Sequence, residues 1–198
     1  TALYEAAFAR LAEKNLLYPC FCSRNELHAA SAPHLADGQV LYAGACRNLT
    51  PAEIAEKSKT RRPAWRVKVP DETIAFMDRH LGAQRQNLAH ECGDFILRRS
   101  DGVFAYQLAV VVDDAAMGVT EVVRGQDLLS STARQIWLYR ELGLPAPAFA
   151  HAPLLLASDG RRLSKRDGDV SLEQLQQRYT PEQIIGKLGW LCGLQPAP

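Results

Sequence analysis

"FAYQLAVVVDDAAMGVTEVVRG", residues 104–125, opens the part of the chain that decides its fold. Its first part is apolar nearly throughout, and residues 119–125 have the composition of a strand. Residues 130–143 follow with helical spacing and end at Gly143, and residues 148–156 are typical of another buried strand. The order strand, helix, strand, with a nearly continuous apolar first element, predicts part of a parallel sheet in an α/β fold.

The first hundred residues or so have a different texture, mixed and rich in loops. Residues 2–14 carry apolar side chains at helical spacing, and "LLYPCFC" at 16–22 is typical of a short buried strand. "AWRVKVP" at 64–70 alternates apolar residues with Arg66 and Lys68, as a half-buried strand with a solvated face does. Because no linker rich in Pro, Gly and Ser separates the two parts, we expect packed subdomains.

Four sequences of the form Ser/Thr-x-x-Glu/Gln predict helix starts. They stand at 23–26, 50–53, 171–174 and 180–183. In such a capping box the first and fourth side chains accept hydrogen bonds from each other's backbone N–H groups. Pro51 at the first helical position strengthens the second of these predictions.

Charge and composition exclude several classes of protein. With 23 Lys and Arg against 22 Asp and Glu the net charge is +1, so there is no global field that would steer the chain onto a polyanion. No apolar run reaches the roughly 18 residues of a membrane span, and the N-terminus has no secretory pattern. We therefore expect a cytoplasmic protein with no membrane partner.

Three of the five cysteines predict a metal site rather than disulfides. The thiolates of Cys20 and Cys22 can both reach a Zn²⁺ at about 2.3 Å, and Cys46 can close the site from the far end of the loop. The fourth position is open to Tyr42, His28, His34, Asp37 or a water. The competing interpretation, small buried hydrophobic residues, suits one cysteine better than three beside a loop of low apolar content. The expected role of the metal is structural.

Arg124 and Tyr106 are candidate substrate ligands. Arg124 ends a predicted strand, at the edge where α/β sheets place their ligands, and Tyr106 precedes the apolar element. An arginine there can grip a carboxylate with two parallel hydrogen bonds. The competing interpretation, which the motif taken alone favours, is a surface ion pair of Arg124 with Asp127 or Glu121.

The segment "RRLSKRDGDV", residues 161–170, has two interpretations that its chemistry leaves about level. It reads as a solvated turn of mixed charge, the usual explanation of such runs. It also places Ser164 and Lys165 between a buried strand and a helix, where a mobile lysine can stabilise charge that develops on phosphates.

Together these motifs resemble one family. "RLSKR" at 162–166 resembles the KMSKS loop of class I aminoacyl-tRNA synthetases, and "FAYQLAVVVDD", "GVTEVVRGQDL" and "HAPLLL" resemble segments of glutamyl-tRNA synthetases. Cys20-x-Cys22 with Tyr42-x-x-x-Cys46 resembles the zinc site of the glutamyl-queuosine tRNA(Asp) synthetases, shortened bacterial relatives without an anticodon-binding domain. The resemblance covers essentially the whole chain.

The resemblance implies a fold and a division of the chain. The fold is the class I Rossmann-type α/β fold, here the C-terminal half of the catalytic domain, with an inserted zinc-containing α+β subdomain. The implied units are a helix of the first half (1–15), the inserted zinc-binding, acceptor-type subdomain (16–102), the second half of the Rossmann-type fold (103–157), and the KMSKS-like loop with C-terminal helices (158–198). Nothing in residues 1–19 resembles the family's HIGH-type motif, so we expect a fragment that is inactive alone.

The resemblance also implies roles for individual residues. Tyr106 and Arg124 correspond to residues that contact glutamate, and Ser164 and Lys165 to the catalytic pair of the ATP-binding loop. The loop is completed by Arg162, Leu163 and Arg166, which replace the Lys, Met and final Ser of the family's consensus. The implied zinc ligands are Cys20, Cys22, Tyr42 and Cys46.

The function that follows from the resemblance is a ligase reaction of a monomeric enzyme. L-glutamate and ATP, with Mg²⁺, would form glutamyl-adenylate, and the glutamyl group would pass to queuosine in the anticodon of tRNA(Asp). One alternative is a discriminating glutamyl-tRNA synthetase with its anticodon-binding domain beyond Pro198. Others are a zinc-stabilised RNA-binding module, supported by the basic stretch 57–68 with Trp65, and a nucleotide-binding regulator without catalysis.

Overall fold

The secondary structure is taken from a computed structural model that describes residues 1–23, 26, 41–154, 156 and 171–197. The helices are α1 (Ala2–Glu13), α2 (Pro51–Thr60), α3 (Leu88–Glu91), α4 (Tyr106–Ala116), α5 (Leu129–Glu141), α6 (Leu172–Gln176) and α7 (Pro181–Leu191). The strands are β1 (Leu17–Cys20), β2 (Ala64–Val67), β3 (Thr73–Asp78), β4 (Gly82–Asn87), β5 (Phe95–Arg98), β6 (Glu121–Gly125) and β7 (Ala148–Ala152). A 3₁₀ turn, Gln126–Leu128, joins β6 to α5.

The first sheet is antiparallel, in the order β1-β2-β5. β1 pairs with β2 from Leu17 opposite Val67 to Cys20 opposite Ala64. One face of this sheet is closed by fully buried side chains such as Val67 and Leu97. Cys20, at the end of β1, is buried at the edge of a second, smaller apolar cluster.

The second sheet is mixed, in the order β4-β3-β7-β6. β6 and β7 are parallel neighbours, as the order strand, helix, strand predicted, and Arg124 lies opposite His151 in their register. β3 pairs antiparallel with β4 and parallel with β7, where Asp78 lies opposite Phe149. The hairpin β3–β4, which comes from within residues 16–102, therefore shares one sheet with β6 and β7.

The apolar run that precedes β6 forms the helix α4. Leu108, Val111 and Val112 are buried on one face of it, at helical spacing, while the Asp113 carboxylate accepts a hydrogen bond of 2.6 Å from the Tyr4 hydroxyl. Three consecutive valines favour a strand by local preference. Packing of one face against α1 and α5 outweighs that preference and stabilises the helix.

The central core lies between α5 and the sheets. Trp137, Leu138 and Tyr139 of α5 are at most 2% exposed and lie in the same cluster as Phe95 and Phe149. The helix ends as predicted, because the residue that follows its last turn, Gly143, has a left-handed backbone with φ of 62°.

The predicted pattern of β2 is wrong at Arg66. Arg66 is only 6% exposed, whereas Trp65 is half-buried. The pairing of β2 with β5 shifts register between Trp65 and Arg66, a bulge that turns consecutive side chains inward. The buried guanidinium contacts the Cys20 sulfur, the Asp94 carbonyl and the Tyr42 ring.

The capping boxes at three of the four predicted positions open helices. Thr50, Ser171 and Thr180 each exchange hydrogen bonds with the residue three positions on, at the starts of α2, α6 and α7. Ser23 and Glu26 form the same reciprocal pair, but the helix predicted after them lies outside the described residues. Within the described ranges, every helix falls short of the length and apolar character that a membrane crossing requires.

Candidate metal centre and carboxylate-binding site

Three sulfur atoms and one phenolic oxygen converge at the end of β1. The Sγ atoms of Cys20, Cys22 and Cys46 lie within 4.8 Å of one another, and those of Cys22 and Cys46 are 3.6 Å apart. The Tyr42 oxygen lies 3.5 Å from the Cys20 sulfur and 3.7 Å from the Cys22 sulfur. Sulfurs bound tetrahedrally at about 2.3 Å from a zinc ion are about 3.8 Å apart, so this donor set fits Zn²⁺.

The backbone around the cluster orients these four groups. β1 delivers Cys20, and the Phe21 N–H that follows donates to the Cys46 sulfur at 3.4 Å. Gly44, with φ of 80°, turns the chain so that the Cys46 N–H donates to the Tyr42 oxygen at 2.8 Å. The phenolic oxygen is thereby held on the side of the sulfurs.

The Arg66 side chain contacts two members of the cluster, Cys20 and Tyr42. Its Nε donates to the Cys20 sulfur at 3.3 Å, its Nη1 donates to the Asp94 carbonyl at 2.8 Å, and its guanidinium carbon lies 3.8 Å from the centre of the Tyr42 ring. A buried cation in contact with two of the donors stabilises negative charge on them. Sequence reasoning missed this residue because the bulge in β2 depends on pairing with a distant strand.

The acidities in the cluster show how strongly these groups compete for charge. Burial alone would raise the pKa of Cys20, but hydrogen bonds with Tyr42, the Cys22 backbone and Arg66 outweigh it and lower the pKa. Burial, with Cys20 and Cys46 close by, raises the pKa of Cys22 to about 12. Burial and the hydrogen bond with Cys20 raise the pKa of Tyr42 as well. A divalent cation relieves such competition, because it binds the deprotonated forms.

Arg124 is anchored at the carboxyl end of β6. Its Nε donates to His151 Nε2 at 3.0 Å, and its Nη2 donates to the Thr132 hydroxyl at 2.9 Å and to the Leu128 carbonyl at 3.3 Å. The surface ion pair with Glu121 is not formed, since Glu121 binds Arg79 instead. These three bonds engage Nε and Nη2 of the guanidinium.

Tyr106, the first residue of α4, lies beside Arg124. Burial lowers the pKa of Arg124, and the Tyr106 hydroxyl, within hydrogen-bonding reach, and the nearby Asp114 oppose that effect. Tyr106 is 51% exposed, so part of the residue is accessible to a ligand. An anionic group that binds here would meet the Arg124 guanidinium and the Tyr106 side chain together.

Two polar residues behind Arg124 escaped the sequence analysis. His151 and Thr132 are fully buried, and His151 also binds Asp78. The signal in the sequence was a histidine in the middle of an apolar strand, "AFAHA", but its partner is 73 positions away. Only the sheet order brings the two together.

The remaining predicted residues lie outside the described part of the chain. These are the loop residues Arg162, Leu163, Ser164, Lys165 and Arg166, and the alternative metal ligands His28, His34 and Asp37.

The fold and the two sites define a class of protein. Residues 1–197 match the family described as tRNA synthetases class I (E and Q), catalytic domain. The structure is similar to the glutamate-tRNA synthetase from Elizabethkingia anophelis, with a TM-score of 0.68 and 32% identity over 85% of this chain and 36% of that one. A glutamate tRNA ligase from Elizabethkingia meningosepticum, solved in complex with its amino acid, gives a TM-score of 0.67 at 32% identity, with 85% of this chain and 36% of that chain covered. The chain belongs to this family of class I synthetases, as its motifs predicted.

Curated relatives of a single name are more similar in sequence than these solved structures. A glutamyl-Q tRNA(Asp) synthetase from Symbiobacterium thermophilum is 54% identical over 202 residues, which cover 99% of this chain and 62% of the relative. A glutamyl-Q tRNA(Asp) synthetase from Neisseria meningitidis serogroup C is 52% identical over 197 residues, covering 100% of this chain and 64% of the relative. The chain thus spans less than two thirds of the length of these relatives.

Proposed function

We propose that the full-length protein activates L-glutamate with ATP to glutamyl-adenylate and transfers the glutamyl group to queuosine in the anticodon of tRNA(Asp). The observation that carries the proposal is the Arg124–Tyr106 pair at the carboxyl end of β6, the edge where an α/β sheet binds its ligand. The names of the relatives that match nearly all of this chain supply the acceptor.

Activation requires the glutamate carboxylate to attack the α-phosphorus of ATP in line with the departing pyrophosphate. One bond forms between a carboxylate oxygen and the α-phosphorus, and the bond from that phosphorus to the bridging oxygen breaks. Mg²⁺ bound with ATP supplies charge neutralisation on the phosphates. Lys165, with Ser164 in the KMSKS-like segment 162–166, contributes a cation for the pyrophosphate.

Arg124 and Tyr106 act by position. When Nη1 of Arg124 and the Tyr106 hydroxyl hold a substrate carboxylate, the glutamate molecule keeps a fixed orientation relative to the nucleotide. This raises the effective concentration of glutamate at the α-phosphorus. Neither side chain exchanges a proton or forms a covalent bond with the substrate in this scheme.

Cys20, Cys22, Tyr42 and Cys46 hold a structural zinc ion in the proposed enzyme. The cluster joins the end of β1 to the turn around Gly44, two segments separated by residues of low apolar content. A zinc ion held by these residues would crosslink the two segments where the apolar cluster is small. Among the described residues, the hydrogen-bond acceptors of Arg124 lie outside the cluster, so the scheme places catalysis at the Arg124 site.

Glutamate-dependent exchange of pyrophosphate into ATP tests the activation step. We expect exchange with glutamate, and only weak exchange with aspartate or glutamine. Arg124→Met should reduce the exchange because it removes the cation, while its long apolar side chain limits the change in packing. Absence of exchange in the full-length protein would exclude the activation step.

The acceptor is tested with tRNA(Asp) that carries or lacks queuosine. We expect glutamyl transfer only to the queuosine-containing tRNA, and equally well after removal of its terminal adenosine. Transfer that needs the terminal adenosine would instead identify a glutamyl-tRNA synthetase, the alternative that the structural similarity to such enzymes favours.

A further inference from the structure

A buried hydrogen-bonded chain crosses three neighbouring strands behind Arg124. Asp78 ends β3, His151 lies in β7 and Arg124 lies in β6, and these strands are adjacent in the sheet. The Asp78 and His151 side chains are both fully buried, and His151 Nδ1 lies 2.6 Å from Asp78 Oδ2. On its other side, His151 Nε2 meets Arg124 Nε at 3.0 Å.

The directions of these bonds follow from the chemistry of the donors. Arg124 Nε carries a hydrogen and only donates, so His151 Nε2 must accept. The ring proton of a neutral imidazole is then on Nδ1, from which it is donated to the Asp78 carboxylate. The network therefore assigns His151 one tautomer, with the proton on Nδ1.

Asp78 is itself held rigidly. Its Oδ1 accepts hydrogen bonds from the backbone N–H groups of His80 at 3.0 Å, Leu81 at 2.9 Å and His151 at 3.2 Å. The carboxylate therefore fixes the turn after β3 and the position of the imidazole at once. Neither Asp78 nor His151 is exposed, so neither can contact a substrate directly.

We propose that Asp78 and His151 are positioning residues that aim the Arg124 guanidinium at the substrate carboxylate. The proposal deepens, and rests on, the proposed function in which Arg124 binds glutamate. The relay, Asp78–His151, engages the Nε side of the guanidinium, and Thr132 and Leu128 engage Nη2. These bonds hold Nε and Nη2 and so fix the orientation of the guanidinium, and Nη1 is the nitrogen that the proposal assigns to the substrate carboxylate.

Asp78→Asn is the variant that separates positioning from mere packing. The Asn side-chain oxygen can still accept the backbone hydrogen bonds, and the side chain keeps its shape. Its amide nitrogen, however, presents hydrogens to His151 Nδ1, which drives the imidazole proton to Nε2. Two donors, His151 Nε2–H and Arg124 Nε–H, then face each other and displace the guanidinium, as a tautomer error does in other relays.

Two measurements test the relay. Nitrogen-15 NMR of the histidine side chains should show the Nδ1–H tautomer for His151 in the wild type and the Nε2–H tautomer in Asp78→Asn. In the full-length protein, the exchange assay should show a KM for glutamate raised about 10- to 100-fold in Asp78→Asn, with the KM for ATP nearly unchanged. The size is that found when a residue that orients a metal-binding side chain is replaced.

Asp94→Asn is the matched control. Asp94 is another buried carboxylate that accepts from a backbone N–H, that of Val69, and from a side chain, the Tyr18 hydroxyl. The Asp94 side chain bonds Val69, Tyr18 and Arg47, none of which is a partner of Arg124 in the hydrogen bonds above, so this variant should leave the KM for glutamate unchanged. Comparison of the two variants separates the relay from a general loss of stability.

The outcomes are distinct. An Nε2–H tautomer in the wild type, or equal KM values for glutamate in the two variants, would overturn the relay even where the wild type activates glutamate. A wild type that shows no glutamate-dependent exchange would overturn the proposed function, and with it the role of the relay toward glutamate.

Discussion

Replacement of Tyr42 by Phe tests the metal centre most directly. The substitution removes one oxygen and keeps the ring under the Arg66 guanidinium, 3.8 Å from the ring centre. That oxygen accepts a hydrogen bond from the Cys46 N–H and lies within 3.7 Å of both Cys20 and Cys22. Its loss therefore leaves three sulfurs and an open fourth position.

The contacts of this oxygen give the size of the effect. Without it, the Cys46 N–H loses its acceptor in a buried setting, which costs about 1–3 kcal/mol. Loss of one ligand weakens metal binding at least as much. Since about 1.4 kcal/mol corresponds to a factor of ten, we expect the zinc dissociation constant to rise by at least about tenfold.

The assay compares metal content and stability with and without a chelator. We expect about one zinc per chain in the wild type and a clear loss of zinc from Tyr42→Phe under mild chelation. Cobalt substitution reports the same change, because the spectrum of a tetrahedral site changes when the phenolate is absent. The gain in unfolding free energy on addition of zinc should shrink in the variant.

Tyr18→Phe provides the control in the same small apolar cluster. Tyr18 is also buried, and its hydroxyl donates to Asp94 rather than to a cysteine. The Tyr18→Phe variant should have a lower unfolding free energy than the wild type but bind zinc with the same affinity. Equal zinc affinity in both variants, or a wild type that binds no zinc and folds unchanged, would refute the assignment of Tyr42 as a ligand.

Four further predictions follow from single contacts. Thr50→Ala removes the cap of α2 and should lower the unfolding free energy by about 1 kcal/mol in urea titrations. Trp137→Ala empties a site that is 1% exposed and should cost about 3–5 kcal/mol in the same assay. Burial opposes ionisation of Asp78, but hydrogen bonds from His151 and backbone N–H groups lower its pKa to about 2. The stability that the ionised carboxylate provides is therefore complete above the ordinary pKa of 3.8 and is lost as the pH falls through about 2. Urea titrations at pH 2–5 would show this loss. Tyr106→Phe should raise the KM for glutamate about tenfold with little change in stability, because the residue is half exposed and the proposed function assigns its hydroxyl to glutamate.

Features set by neighbouring residues were predictable from the sequence. The capping boxes at Thr50, Ser171 and Thr180 formed because each depends on two side chains within one turn. The parallel pair β6 and β7 followed from the order of apolar strand, helix and strand. The spacing Cys20-x-Cys22 likewise indicated that these two thiols lie close together, since one residue separates them, and the residue types predicted that Cys46 joins them.

Features set by distant pairing were not predictable. Arg66 reads as a solvated residue in an alternating strand, and only the bulge against β5 turns it toward Cys20. Asp78 and His151 meet because β3 and β7 are neighbours, which no local pattern indicates. The helix α4 shows the same principle, since packing decided a segment whose valines favour a strand.

The hairpin β3–β4 limits how this fold can be divided or recombined. It lies within the segment that carries the metal cluster, yet it forms half of the sheet that holds Arg124. An excised insertion would expose the edge of β3 that now pairs with β7, a template for aggregation. A chimera that exchanges this insertion between relatives would also exchange Asp78. The segment with the cysteine cluster and the proposed substrate site are therefore expected to diversify together rather than as independent modules.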